Sequence, residues 1–323
     1  MKLVEIESGF LFEEGKFFDQ CHATTVLKVG DRVLCAFFAG TEEGNEDVRI
    51  FLCTYENGKW SDPVQMSFSD NIPCWNPVLH EKNGTVYLFF KIGTKITNWC
   101  TYLRTSTDGG RTWSEAVELV EGDRSDGRGP VKNKAINLSD GRIAAPASVE
   151  TATTWDAFID VSADDCKTWQ RGELIGFNHT NARGKGIIQP TLWEADGKVY
   201  ALLRSTEGRV MKSCSEDMVH WTPAEKTDLP NNNSGIDCVK LPDGKVVVFF
   251  NPNQDDWGDR NVISYAVTED NAQSFLPPVE IERDEDTEAE FSYPAAVTDG
   301  EFVYLTYTHY RRNVMFRKFK IEE

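Results

Sequence analysis

The sequence repeats itself along its whole length, and this repeat restricts the possible folds more than any other feature. Six segments contain a turn with glycine followed by a short apolar run. The first strand residues of the six copies, 47 to 57 positions apart, are Val33, Val86, Ile143, Val199, Val246 and Phe302. A period of this length is typical of repeat architectures in which neighbouring copies pack against each other.

A second repeated unit lies between these turns. Its form is S-x-D-x-G-x-T-W, complete at 106–113, with degenerate copies at 162–169, 215–221 and 268–275 and a remnant around Trp60. In such a unit the aspartate accepts N–H groups of a tight turn, glycine supplies a positive φ, and the tryptophan packs into the adjacent sheet. We therefore expect these aspartates to be structural.

The spacing of the turns also predicts the fold. Each unit has room for about four strands, and few segments show the 3.6-residue apolar period of a helix. The sequence predicts an all-β, six-bladed β-propeller that forms a single domain over residues 1–323. We expect the two ends of the chain to share one blade and so close the ring.

Composition excludes several classes of function. Against 34 Lys and Arg stand 52 Asp and Glu, so the net charge of −18 makes nucleic acid an unsuitable partner. No apolar run reaches the ~18 residues of a membrane span, and the acidic first 16 residues predict a cytoplasmic protein if no leader was removed. The eight cysteines have no paired spacing and should be reduced and mostly buried. The five histidines have no ligand spacing, so neither a metal nor a cofactor is predicted.

Polar residues recur where the inner strands of a propeller should line its axial channel. Apolar strands that repeatedly hold a polar residue are hard to explain by core packing alone. These groups either satisfy one another along a water-filled axis or form a binding site, and we favour a site in which guanidinium groups hold a carboxylate. The candidates are His22, Asn76, Lys132, Asn133, Lys134, Glu150, Gln189, Arg204, Asp237, Arg260, Tyr293 and Arg311.

With these motifs the chain resembles the sialidase (neuraminidase) superfamily, as a divergent sialidase-like protein with Asp-box (BNR) repeats. Arg204 in ALLRSTEGR and Arg260 in DRNVISYAV resemble the second and third arginines that hold the sialate carboxylate in that family. Tyr293 in FSYPAAV resembles the nucleophile. The resemblance implies an exo-acting glycoside hydrolase for a terminal acidic sugar, either a sialic or a uronic acid.

The family's acid/base residue falls in a loop after the first long strand. Asp47, in GTEEGNEDVRIF, resembles it, and Glu43 and Glu46 are rivals in the same loop. In the mechanism that the resemblance implies, this carboxyl protonates the leaving group while the tyrosine attacks the anomeric carbon.

Two departures from the family pattern affect the expected mechanism. The family's first arginine lies in an Arg-Ile-Pro motif, where residues 21–23 here are Cys, His and Ala, and the glutamate that activates the tyrosine aligns with Gln189. An amide cannot act as a base. The resemblance therefore implies two replacements: Lys132 or Lys134 for the arginine, and Asp237 or Glu150 for the glutamate.

Two other functions use the same residues. In a uronic-acid lyase an arginine would neutralise the carboxylate, His22 would take the C5 proton and Tyr293 would protonate the leaving oxygen. In a non-catalytic glycan-binding propeller, aromatic side chains would stack on sugar faces. All three functions share a carbohydrate partner that carries a carboxylate, and the tryptophans available for stacking are Trp75, Trp99, Trp155 and Trp257.

Overall fold

A computed structural model describes residues 1–68, 71–124 and 127–322 of the chain. These residues form six antiparallel sheets of four or five strands, together with two short 3-10 helices at Ile96–Asn98 and His179–Asn181. The predicted all-β, six-bladed propeller is confirmed. Among the described residues, no helix has the length and apolar character needed to cross a membrane.

The strands follow one another from the inside to the outside of each blade. The chain starts with β1 (Lys2–Phe10), which belongs to blade 6. Blade 1 contains β2 (Gln20–Val29), β3 (Arg32–Gly40), β4 (Arg49–Glu56), β5 (Lys59–Trp60) and β6 (Val64–Gln65). Blade 2 contains β7 (Cys74–Lys82), β8 (Thr85–Ile92), β9 (Cys100–Ser106) and β10 (Val117–Glu118). Blade 3 contains β11 (Ile136–Asn137), β12 (Ile143–Glu150), β13 (Trp155–Ser162) and β14 (Gln170–Arg171).

The last three blades repeat this order. Blade 4 contains β15 (Ile187–Ala195), β16 (Lys198–Ser205), β17 (Arg209–Ser215) and β18 (Glu225–Pro230). Blade 5 contains β19 (Asp237–Lys240), β20 (Val246–Phe250), β21 (Val262–Thr268) and β22 (Val279–Arg283). Blade 6 contains β23 (Phe291–Thr298), β24 (Phe302–His309), β25 (Asn313–Glu322) and β1.

The ring is closed by the two ends of the chain, as the sequence predicts. Strand β1 pairs antiparallel with β25, from Lys2 opposite Glu322 to Phe10 opposite Met315. The first strand of the chain is thus the outermost strand of the last blade, so hydrogen bonds of the sheet hold the ring together.

The hydrophobic core is divided into layers between neighbouring blades. The second strand of each blade is buried on both faces, and sequences such as VVVFF in β20 are rich in the β-branched and aromatic residues that suit this position. None of the eight cysteines forms a disulfide bond within the described residues, and six of them are buried. Because the apolar layers lie between blades, the axis of the ring is left to polar side chains.

The Asp-box turns have the structural role expected for them. In the complete copy, the Asp108 carboxylate accepts hydrogen bonds from two backbone N–H groups and two hydroxyls, and Trp113 Nε1 donates to the Gly110 carbonyl at 3.2 Å. In the second copy Cys166 replaces the glycine and keeps the left-handed backbone, with φ of 67° against 83° for Gly110. These turns lie at the ends of the third strands, on the lower face of the ring.

Candidate functional site

The inner strands start at the opposite, upper face, and their first residues converge on the axis. Four inner strands carry a β-bulge just below this face, and the residue in each bulge has a positive φ. Counting from the strand pairings gives the matching positions in blades 3 and 5. In blade order, the six residues at this register are Ala23, Asn76, Lys132, Gln189, Gly235 and Tyr293.

Three of the predicted channel residues lie outside this axial register. His22 lies one residue before the axial position, and Lys134 and Asp237 lie two residues after it. The sequence does not reveal the offset of Lys134 and Asp237, because the inner strands of blades 3 and 5 have only two and four residues and carry no bulge. Lys134 and Asp237 therefore lie one pleat deeper than the ring of axial residues.

Tyr293, Gln189 and Arg204 form the centre of the site. Arg204 Nη1 donates to Tyr293 Oη at 2.7 Å and to Gln189 Oε1 at 3.2 Å. Because a guanidinium has no acceptor, the amide oxygen of Gln189 must face it, and the amide nitrogen faces Tyr293 Oη at 3.5 Å. Two donors thus point at the phenol oxygen.

Arg204 is held in place from several sides. Its Nε donates to Asn233 Oδ1 at 2.9 Å, and its Cζ lies 5.4 Å from the Trp155 ring and 5.7 Å from the Trp257 ring. Arg204 is 4% exposed, whereas Trp257 is 63% exposed. A cation fixed this rigidly is preorganised for an anionic ligand.

Two further arginines share one carboxylate near Tyr293. Glu290 accepts a hydrogen bond from Arg260 Nη1 at 3.0 Å and from Arg311 Nε at 2.8 Å. Burial opposes ionisation of Glu290, but the charges of Arg311 and Arg260 and the hydrogen bond from Arg311 hold its pKa at about 2. Glu290 therefore stays ionised and fixes both guanidinium groups.

Arg311 reaches the site from a direction that the sequence does not suggest. It lies in the hairpin between β24 and β25, has a φ of 56°, and its carbonyl accepts a hydrogen bond from Cys21 N at 2.6 Å. Its Nη1 donates to Glu43. The hairpin of blade 6 thus brings a guanidinium beside blade 1, where residues 21–23 lack an arginine.

His22 lies against Tyr293 and marks the point where the three arginines converge. Its ring centroid is 4.2 Å from that of Tyr293, and its Nδ1 is 2.8 Å from Thr308 Oγ1. Burial, and then the charges of Arg311, Arg260 and Arg204, hold the pKa of His22 well below its usual range. The imidazole is therefore neutral at physiological pH.

The expected role of two lysines as carboxylate ligands finds no support in this geometry. Lys132 Nζ donates to Asn133 Oδ1 at 2.8 Å, to the Ile236 carbonyl at 2.9 Å and to the Pro294 carbonyl. Burial lowers the pKa of Lys132 to about 7. A Cβ on Gly235 would lie 3.0 Å from Lys132 Cε, so the glycine leaves room for this side chain. With three acceptors for three N–H groups, Lys132 supports the site from below.

Lys134 and Asp237 form a buried ion pair. Lys134 Nζ lies 2.8 Å from Asp237 Oδ1 and 2.9 Å from Oδ2, and also donates to the Cys238 carbonyl at 2.7 Å. Asp237 further accepts from the Thr191 hydroxyl and from the backbone N–H groups of Cys238 and Ala296. The carboxylate has no acceptor capacity left for the Tyr293 proton, and no contact joins these two side chains in the described part of the chain.

Glu150 differs from Asp237 in having no such partners among the described residues. It is the last residue of β12, is 9% exposed, and lies opposite Trp155 on β13. Burial raises the pKa of Glu150, and the charges of Arg204 and Lys185 act in the opposite direction. The charge of Arg204, which donates a hydrogen bond to Tyr293, therefore acts on the Glu150 carboxyl.

Asp47 lies in a loop of the upper face and stabilises that loop. Its two carboxylate oxygens accept hydrogen bonds from the backbone N–H and the hydroxyl of Thr41, both at 2.9 Å. It lines a surface groove of about 480 Å³ that contains neither Tyr293 nor any of the three arginines. Of its rivals, Glu43 pairs with Arg311, and the Glu46 carbonyl accepts a hydrogen bond from Arg49.

The tryptophans considered for sugar stacking fall into two groups. Trp75, Trp99 and Trp155 are buried, and Trp75 Nε1 donates to the Gly93 carbonyl at 2.8 Å. Trp257 is exposed and lies between Arg204 and Arg260, whose Cζ atoms are 5.7 and 5.9 Å from its ring. Only Trp257 of this set offers an accessible face.

Two groups that shape the site have no clear signal in the sequence. Glu290 lies three residues before Tyr293, and only its position near two arginines reveals its role. Asn233 belongs to the stretch PNNNSG, which has the composition of a surface turn but is buried from Asn231 to Ser234. Within the described ranges, no group of three or more His, Cys, Asp or Glu side chains could hold a metal ion.

Residues 31–305 match the family of BNR repeat-like domains. The chain belongs to this family. In this BNR repeat-like protein, the match begins at Asp31, in the turn after β2, and ends at Leu305 in β24. No curated protein sequence matches the chain.

Solved structures share the fold of this BNR repeat-like chain. A protein of unknown function from Dyadobacter fermentans has a TM-score of 0.77 at 17% identity, with 99% of both chains covered. The K499G mutant of NanB sialidase from Streptococcus pneumoniae has a TM-score of 0.76 at 12% identity, covering 98% of this chain and 70% of that one. Trypanosoma rangeli sialidase has a TM-score of 0.72 at 16% identity, covering 98% of this chain and 57% of that one. The chain thus spans little more than half of the trypanosomal enzyme, and at these identities the likeness concerns the fold.

Proposed function

We propose that this protein is a carbohydrate-active enzyme that binds a terminal acidic sugar at the upper mouth of the propeller. The observation that carries the proposal is the convergence of Arg204, Arg260 and Arg311 around His22 and Tyr293. In a protein with a net charge of −18, three fixed guanidinium groups at one mouth form a local cationic site. Guanidinium is the side chain best suited to bidentate binding of a carboxylate.

The reaction we propose first is hydrolysis of the glycosidic bond with Tyr293 as nucleophile. Donors from Arg204 and Gln189 stabilise the phenolate, which can then attack the anomeric carbon. A tyrosine suits a sugar whose anomeric carbon already carries a carboxylate, because a carboxylate nucleophile would be repelled. The covalent intermediate named for Trypanosoma rangeli sialidase with 2,3-difluorosialic acid supports a covalent mechanism by analogy.

One observation favours a second reaction, β-elimination on a uronic acid. Among the described residues Tyr293 Oη contacts two donors and no carboxylate, and Gln189 and Arg204 together can neutralise a sugar carboxylate through hydrogen bonds. The neutral His22 beside Tyr293 can accept a proton. In this reaction His22 takes the C5 proton, the electron pair forms the C4–C5 double bond, and the leaving oxygen gains a proton as its bond to C4 breaks.

The experiment compares wild type with Tyr293→Phe and Arg204→Met on two substrate sets. A fluorogenic sialoside reports hydrolysis, and uronic acid oligosaccharides report elimination through the ultraviolet absorbance of a 4,5-unsaturated product. We expect turnover on one set, a loss of at least about 1,000-fold in Tyr293→Phe, and a loss of binding in Arg204→Met. Val117→Ala, which alters an exposed side chain on the outer strand β10 and away from the site, is the matched control for folding.

The outcomes separate the functions. Release of free sialic acid supports the hydrolase, and a rise in ultraviolet absorbance supports the lyase. Binding of acidic glycans without turnover, unchanged in Tyr293→Phe but weakened in Trp257→Ala, would overturn both in favour of a glycan-binding propeller.

A further inference from the structure

We propose that Glu150 is the proton donor of this site and delivers its proton to the sugar oxygen that leaves. The inference rests on the proposed function, because hydrolysis and elimination both release a sugar oxygen that must gain a proton. It assigns to Glu150 the step that the resemblance to sialidases assigns to Asp47.

The buried carboxylates of the protein differ in how they are hydrogen bonded. Among the described residues four carboxylates are buried: Glu150, Asp160, Glu207 and Asp237. The last three each form an ion pair and accept at least one backbone N–H. Glu150 makes neither contact within the described ranges. Within these ranges Glu150 thus lacks the donors that hold the other three carboxylates in their ionised form.

Glu150 lies on the face of β12 that is turned toward blade 4. Two residues earlier on the same strand face, Ser148 Oγ accepts a hydrogen bond from Gln189 N at 2.8 Å, so this face of β12 looks toward blade 4. Trp155, directly opposite Glu150 on β13, has its ring 5.4 Å from Arg204 Cζ. Glu150 therefore lies on the side of the strand that faces Arg204 and the Tyr293 centre.

The protonation state is consistent with a donor. Burial raises the pKa of Glu150 and outweighs the opposing charges of Arg204 and Lys185, the charged groups on the neighbouring elements. A neutral carboxyl carries an O–H that can donate, whereas both carboxyl oxygens of Asp47 accept hydrogen bonds from Thr41.

The proton balance is complete for both reactions. In hydrolysis the Tyr293 phenolate, whose proton has gone to solvent, forms a bond to the anomeric carbon while the bond to the leaving oxygen breaks and that oxygen takes the Glu150 proton. Ionised Glu150 then accepts a proton from the water that displaces Tyr293. In elimination the C5 proton passes to His22, the electron pair forms the C4–C5 double bond, and the leaving oxygen again takes the Glu150 proton. Solvent restores both groups.

The first test compares Glu150→Gln with Asp47→Asn, the competing donor, on leaving groups of different basicity. An unactivated oligosaccharide needs a proton donor, and an activated aryl glycoside does not. We expect Glu150→Gln to lose about 100-fold or more on the oligosaccharide and less than about 10-fold on the aryl glycoside. Glu150→Asp should recover part of the loss. An equal loss on both substrates, or this pattern in Asp47→Asn instead, would overturn the assignment while leaving the proposed function intact.

The second test does not need turnover. Titration of glutamate carboxyl carbons by carbon-13 NMR, in wild type and in Glu150→Gln, isolates the Glu150 signal by difference. We expect that signal to titrate above the ordinary glutamate range, and a signal within that range would overturn the inference. A wild type without turnover on either substrate set would instead show that the proposed function itself has failed.

Discussion

Asp237 and Glu150 are both buried carboxylates near the axis of the propeller, yet their surroundings differ completely. Asp237 lies one pleat below the axial ring and accepts hydrogen bonds from Lys134, Thr191 and two backbone N–H groups. Glu150 lies at the upper face and makes no hydrogen bond or ion pair within the described ranges. The comparison teaches that residue type and burial do not identify a reactive group. The two residues are distinguished by the hydrogen-bond donors that surround each carboxylate in the described part of the chain.

The largest effect should come from breaking the Asp237 network. Asp237→Asn removes the charge that pairs with Lys134 and turns an acceptor into a donor among donors, so we expect a loss of about 3–5 kcal/mol in the free energy of unfolding. Denaturant unfolding at pH 7 measures it. The double variant with Lys134→Met should recover part of the loss, because no uncompensated charge remains. A cost below about 1 kcal/mol in the single variant would mean that the network is not structural.

The sequence predicts the lower face of the molecule much better than the upper face. The Asp boxes are periodic and local, since Asp108 and its partners lie within six residues of each other. The site depends instead on contacts between distant segments, such as Arg204 with Tyr293 and Arg311 with Glu43. A one-residue change in register redirects a side chain, so the sequence could name candidates but could not distinguish Lys134, which is fully paired, from Arg311.

A smaller effect should separate Glu150 from Asp237 through pH. Because burial raises the pKa of Glu150 above its value of about 4.3 in the unfolded chain, the native state binds this proton more tightly. Its stabilising effect is complete below pH ~4.3 and is lost as the pH rises through the native pKa. Glu150→Gln cannot ionise and should lack this loss. Thermal unfolding of both proteins between pH 4 and 9 measures it, and parallel curves would show that Glu150 is ordinary.

The smallest effect should come from an Asp-box aspartate. Its carboxylate accepts several hydrogen bonds, as that of Asp237 does, but it is not buried. The Thr168 hydroxyl and backbone N–H hold the pKa of Asp164 at about 2. Asp164→Asn keeps the acceptor for that N–H and loses the second carboxylate oxygen, so we expect a decrease of a few degrees at most in the unfolding temperature at pH 7. Since the native pKa lies below the unfolded value, the contribution is lost as the pH falls toward 2, and the two unfolding temperatures should converge there. Turnover and glycan binding should not change, because the turn lies on the face opposite Tyr293. A loss of activity in Asp164→Asn would show that the two faces are coupled and that the division into a structural lower face and a reactive upper face does not hold.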